Sequence, residues 1–230
     1  MSPNVPPLLV GPLGEEPATQ GSFPWIRDKW REHMHDLPDV LRTLDQLPDR
    51  VDRQSTRAVV LSELAQGRVL SAFIPAMVWG WGTTGLGPVR TRWALTQIDN
   101  RSDDALQLPV DPTVAERLDA GARAVRKDGP LGAFRLMNNA GRIKHLGPSY
   151  FTKWLYFSSA LQGPDDAAAA PILDKRIVDW LREHADISLD ADKSPSYADY
   201  LELLTDWGDQ YGRTRVQVEK AIFKLATGRG

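Results

Sequence analysis

The chain has 230 residues, 42% of them hydrophobic, which is enough to bury a sizeable core, and its net charge of −2 excludes a uniformly basic nucleic-acid coat. It has no cysteine, so disulfides, cysteine nucleophiles, cysteine-ligated zinc and a cysteine-held iron–sulfur cluster are excluded. No basic segment followed by an apolar core opens the sequence and no run of about 18 apolar residues occurs, so neither a signal peptide nor a membrane span is expected; the expected location is cytoplasmic.

Residues 1–22 are rich in proline and glycine and poor in bulky apolar side chains, and are expected to run over the surface. Residues 23–53, punctuated by Pro24, Pro38 and Pro48, suggest short helices carrying Trp25, Trp30, Val40, Leu41 and Leu44. His33 and His35 have no third ligand nearby, so no metal site is expected there. From Gln54 the spacing of Val60, Leu64, Phe73 and Ile74 is helical.

Residues 77–92 then combine Trp79 and Trp81 with four glycines between Gly80 and Gly87, followed by Arg90 and Arg92. Such glycine density argues against a stable helix and lets backbone come close to a partner. The letters of a dinucleotide fingerprint occur at residues 80–85, but without a strand–helix unit to carry them, and no Gly-Lys-Ser/Thr follows for a phosphate loop. Two readings stay open: a loop presenting Trp79 or Trp81 to a base and Arg90 or Arg92 to phosphates, or tryptophans that simply fill the core.

Residues 99–112, including Asn100, Ser102, Asp103 and Asp104, read as a loop, residues 113–127 as an amphipathic helix opened by Asp111-Pro112, and residues 131–140 as a helix closed by Gly141. Gly147-Pro148 then starts a helix over about 148–161, with Tyr150, Lys153, Trp154 and Phe157 on one side. A lysine flanked by rings loses hydration of its ammonium, and the neutral amine so favoured can attack an electrophilic carbon. The alternative is a lysine at the rim of a buried helix, its stem on the rings and its head in water. Asp174 precedes Ile177, Val178, Trp180 and Leu181 and reads as a helix N-cap, an ionised carboxylate of fixed direction. Helices over 196–211 and 215–225 complete the chain. No alternating strand pattern stands out, so the fold is expected to be mainly α, with an irregular extension over 1–53 and a helical domain over 54–230.

Charge is unevenly spread. Residues 64–98 carry three arginines and no acid, and residues 129–164 carry Arg135, Arg142, Lys144 and Lys153 and no acid. Together they could form a basic surface for phosphates, or both could be buried apolar segments.

Gly-Pro-Ser-Tyr-Phe-Thr-Lys at 147–153, followed by Pro-Ile-Leu-Asp-Lys-Arg-Ile at 171–177, resembles the helix-hairpin-helix DNA glycosylase superfamily, nearest to its divergent 8-oxoguanine DNA glycosylases of archaeal and bacterial type. The tryptophan- and glycine-rich segment belongs to the same resemblance. The chain departs from the common pattern in having His145-Leu146-Gly147 where the hairpin usually carries two glycines, and in placing Lys153 about one turn further along. The resemblance implies a helical DNA repair enzyme with glycosylase and AP lyase activity. Lys153 would attack the sugar C1′ and Asp174 would stabilise the developing positive charge. Arg142, Lys144, His145 and the Gly147 amide, with Arg90 and Arg92, would hold DNA, and Trp79, Trp81 and Trp207 would line a base pocket in the hairpin domain, whose motif spans 142–162. No cofactor or metal is implied; the partner is DNA containing an oxidised purine, bound by a monomer. The rival reading is a non-catalytic helical module that binds DNA or protein, with Lys153 as a phosphate contact.

Overall fold

In the computed structural model the described residues are 4–17, 19–99 and 103–228. Among them are twelve α-helices, one short 3-10 turn (Asp103–Gln107) and a single two-stranded ribbon, so the chain is mainly α as expected. Asn100 and Ser102 of the expected 99–112 loop lie outside the described residues.

Two helices form the centre. α5 (Val69–Trp81) is buried without a break from Ser71 to Trp79, and α9 (Pro148–Ser159) from Phe151 to Ser159. Each is enclosed by other helices, and the polar side chains that α9 buries, Thr152, Lys153 and Ser159, bond to protein groups within this enclosure. α4 (Arg53–Ala65) packs on both, and α7 (Pro112–Lys127) with α8 (Gly129–Asn138) forms an antiparallel pair against α9. α10 (Lys175–Ala185), α11 (Ser194–Asp209) and α12 (Arg215–Thr227) close the other side. Local sequence sets several starts: Asp52 with Ser55, and Thr214 with Gln217, make reciprocal capping boxes at α4 and α12, and Asp111 caps α7 ahead of Pro112.

Residues 1–22 do not simply wander. α1 (Pro7–Gly14) buries Leu9 and Leu13 against α12, and Arg213 donates to the Leu13 and Glu15 carbonyls. Pro7 opens the helix, where a missing N–H costs nothing, while Pro12 lies inside it and removes one helical bond, a loss offset by burial of Leu9 and Leu13. α2 (Arg27–His33) and α3 (Pro38–Gln46) follow, and the ribbon pairs β1 (Phe23–Pro24) with β2 (Arg50–Val51).

The glycine-rich stretch is also more helical than its composition suggests. α5 continues through Gly80 to Trp81, and α6 (Gly87–Thr96) begins two residues before Val89. Only residues 82–86 form a turn, and burial of α5 against five neighbouring helices outweighs the roughly 1 kcal/mol that a helical glycine costs. No described helix is long and apolar enough to cross a membrane.

Candidate active site

The site is built where α5, α9 and the start of α10 converge. Asp174 is the N-cap of α10, and its Oδ1 accepts from the Arg176 and Ile177 backbone N–H groups at 3.0 and 3.3 Å. Capping fixes this carboxylate in direction and leaves its other oxygen for a second partner. That partner is Lys153: Nζ lies 3.1 Å from Asp174 Oδ2 and donates to the Ser149 carbonyl at 2.6 Å, one turn back on α9. Burial opposes ionisation of Asp174, but the charge and hydrogen bond of Lys153 and the two backbone N–H groups outweigh it and hold the carboxyl below the usual carboxylate range.

Lys153 is not ringed by aromatics as helical spacing alone suggests. Of the three rings expected beside it, only Tyr150 is close, with Nζ 5.3 Å from the ring centroid. Trp154 turns into the core, donating to the Leu118 carbonyl and meeting Phe73 edge-on, and Phe157 meets Trp79. The nitrogen is cradled by a carbonyl and a carboxylate, while its stem runs over Gly80: a Cβ built there would lie 2.8 Å from Lys153 Cδ. The absent side chain at Gly80 makes the channel in which Lys153 reaches Asp174.

Two cavities meet at this pair. One, of about 460 Å³, is bounded by Trp81, Thr84, Ser149, Tyr150 and Arg176; the other, of about 450 Å³, by Gln20, Phe23, Arg53, Trp79 and Glu219; both include Gly80, Trp81, Lys153, Asp174 and Phe223. Each volume falls in the ~300–1,000 Å³ range of small-molecule pockets. The second cavity has a polar floor. Arg53 Nη2 and Glu219 Oε1 pair at 2.8 Å and both side chains are buried, yet Arg53 Nη1 and Glu219 Oε2 have no protein partner. Burial pushes the Glu219 carboxyl above its usual range despite the neighbouring Arg53. Both residues border the cavity, the Arg53 guanidinium packs over the Trp79 and Tyr156 rings, and the unpaired donor and acceptor are themselves enclosed. No group of three potential metal ligands occurs among the described residues.

The model of a family described as "Putative 8-oxoguanine DNA glycosylase OGG-like protein" matches residues 16–223. The chain belongs to this OGG-like family. No curated protein and no solved structure gives a match. Membership makes the chain a DNA repair enzyme of glycosylase type, with DNA as the molecule it binds.

Within this OGG-like chain the remaining candidates fall into two groups. Trp81 stacks on Tyr150 with centroids 4.1 Å apart, Arg90 lies over the Trp81 ring at 5.3 Å and is exposed, and Trp79 lines the second cavity while donating to Gln20 Oε1 at 3.0 Å. Trp79 and Trp81 thus share a cavity with Lys153, while Arg90 borders it only through the Trp81 ring. Arg142 and Gly147 are exposed at the α8–α9 turn; Lys144 Nζ pairs with Asp99, and His145, in a left-handed conformation at φ 65°, has Nε2 2.8 Å from the Ile98 carbonyl. The turn is thus tied to the residues that follow α6, with Lys144 and His145 both engaged by protein groups.

Two expected residues are not at the site. Arg92 is buried, its guanidinium making two bonds to the Asp36 carboxylate and others to the Ala105 and Leu108 carbonyls, so it holds α2, α6 and the 103–107 turn together instead of meeting phosphate. Trp207 is fully buried on α11 and lines neither cavity. Conversely, the sequence reading passed over Arg53 and Glu219. Glu219 was findable in principle, as an acid on the helix that carries Val216, Val218 and Ile222 into the core. Arg53 gives no local signal, because its partner is 166 residues away.

Proposed function

We propose that the protein excises an oxidised purine, 8-oxoguanine, from DNA and cleaves the resulting abasic strand, with Lys153 as nucleophile and Asp174 as its electrostatic partner. The observation that carries this reading is the 3.1 Å approach of Lys153 Nζ to Asp174 Oδ2 at the junction of two cavities. A damaged nucleotide cannot be reached inside the stack and is turned out of the duplex, so its base needs a cavity next to the nucleophile. Once the Lys153 ammonium has given up a proton to water, Nζ bonds to C1′ as the C1′–N9 bond breaks, and a second proton shed by nitrogen ends on the departing base. The sugar carries positive charge while that bond breaks, and the ionised Asp174 lies where it lowers the energy of that state. Ring opening gives a Schiff base between Lys153 and C1′. Loss of a C2′ proton then expels the 3′ phosphate, and water releases the sugar fragment from the lysine. Trp79, Trp81 and Phe223 give the pocket its apolar walls, and Arg53 and Glu219 supply polar contacts to the base edge.

The test is borohydride trapping on a duplex with a single 8-oxoguanine, run with the natural protein, Lys153→Gln and Lys153→Arg. A covalent band that needs the lesion and is lost in both variants establishes the nucleophile, since Arg keeps charge but cannot form the Schiff base. Full activity of Lys153→Arg, or no trapped band and no released base from the natural protein, overturns the reading.

A further inference from the structure

The glycosylase reading concerns the lesion; the inference drawn here rests on it and concerns the duplex left behind. α5 ends at Trp81 and residues 82–86 turn the chain into α6 at the cavity mouth, where Thr84 lines the first cavity and Gly82 and Thr83 the second. Gly87 fixes the turn to the site, since a Cβ built on it would lie 2.6 Å from Trp81 Cβ.

At the end of this turn stands Leu86, 55% exposed. It is the N-cap of α6, a position where Ser, Thr, Asp or Asn would accept a backbone N–H, and it makes no cap bond. A large apolar side chain therefore stands in water at a place where a polar one would stabilise the helix. Its neighbours are cationic. Arg90, one turn on and bonded through its N–H to the Leu86 carbonyl, is exposed over Trp81; the Lys29 Nζ lies beside Gly85; Arg176 lines the same cavity as Thr84. No acidic residue occurs between residues 64 and 98. An apolar tip amid cations suits a polyanion with an apolar interior, which is double-stranded DNA: phosphates take the charges and the base stack takes the leucine.

We propose that Leu86 is the wedge that enters the base stack as a nucleotide is turned into the Lys153 cavity, with Arg90 and Lys29 on the flanking phosphates. Extrusion leaves a gap lined by base faces; an apolar side chain filling it replaces lost stacking and slows return of the nucleotide.

The test uses Lys153→Gln protein, which cannot complete the reaction, with and without Leu86→Ala, bound at saturation to a duplex carrying 2-aminopurine next to the lesion. Stack opening raises 2-aminopurine fluorescence. The expected result is a clear rise with Leu86 and a rise about threefold or more smaller with Ala, while affinity for the same lesion in single-stranded DNA changes less than about twofold, there being no stack to enter. Equal fluorescence, equal losses on single and double strands, or no duplex binding by either protein overturns the wedge. Because no chemistry is read, failure here is distinct from failure of the borohydride trap, which alone decides the glycosylase reading.

Discussion

Gly80 on α5 lies against the stem of Lys153 on α9, so close that a Cβ would stand 2.8 Å from Lys153 Cδ, well inside van der Waals contact. The nitrogen at the end of that stem is held by Ser149 and Asp174, so the chain cannot swing aside without giving up those bonds. Gly80→Ala should therefore cut excision and trapping by about tenfold to a hundredfold, the scale on which small misplacements of a reacting group act. Stability should fall by about 1–3 kcal/mol, the cost of overpacking a pinned side chain, offset in part by alanine's better helix propensity. Single-turnover rates and denaturant unfolding measure the two. An unaffected rate would show that Lys153 reacts from another position.

Asp174→Asn separates the two duties of this carboxylate. Asparagine caps a helix about as well as aspartate, so α10 should keep its start, while the charge facing Lys153 and the reacting sugar is lost. Excision should fall about a hundredfold, as when one preorganised electrostatic partner is removed, and stability should fall by about 1–2 kcal/mol at neutral pH. The folded carboxyl titrates below its ordinary value, so its stabilisation is present above about pH 3.9 and is lost as pH falls through the lower folded value. The gap in unfolding free energy between natural and variant protein should thus be constant from pH 7 to about 5 and close only under more acidic conditions. A gap that closes near neutrality contradicts the assignment.

How much of this was legible in the sequence depends on whether the signal was local. Asp174 was readable because a cap is decided by its own neighbours, and α7, α9 and α12 announce themselves through proline, capping residues and spacing. Lys153 and Asp174 are only 21 residues apart in sequence, and both lie in the segments that resemble known glycosylases. Gly80 was visible as one of four close glycines, but composition could not say that its purpose is to admit a lysine stem inside a helix. Arg90 and Arg92 looked equivalent in an acid-free window. Helical geometry sends them to different sides, one to solvent and one to Asp36, and no local pattern announces a partner 56 residues away. Arg53 and Glu219 escaped for the same reason.

That divergence is directly measurable. Arg92→Ala removes four bonds to Asp36 and two carbonyls and should destabilise the fold by about 2–4 kcal/mol, less than a wholly buried pair would cost because Asp36 is partly exposed. Arg90→Ala, from an exposed position, should alter stability by less than about 0.5 kcal/mol. Its effect belongs to DNA: duplex affinity should weaken about equally for lesion and undamaged sequence, and the slope of log affinity against log salt should fall by about one. The opposite pattern would mean that α6 presents its other face to the duplex.

Glu219→Gln tests the polar floor of the second cavity. The carboxylate bonds Arg53 through one oxygen and leaves the other unpaired, and the residue borders a space that Lys153 and Asp174 also line. A base seated there would donate an N–H to that oxygen and accept from Arg53 Nη1, as an edge with a ring N–H beside a carbonyl can do. The amide can still accept from Arg53, but it lacks the charge and offers the base a donor in place of an acceptor. Base excision should drop about tenfold or more, whereas cleavage of a preformed abasic site, which has no base to hold, should change by less than about threefold. Loss of the charge partner of Arg53 should cost about 1–3 kcal/mol of stability, so both rates are to be compared at a temperature where each protein is folded. A structural role alone lowers the two activities together. Selective loss of excision places the base on Glu219, with Lys153 at the sugar, and assigns separate residues to recognition and to bond breaking.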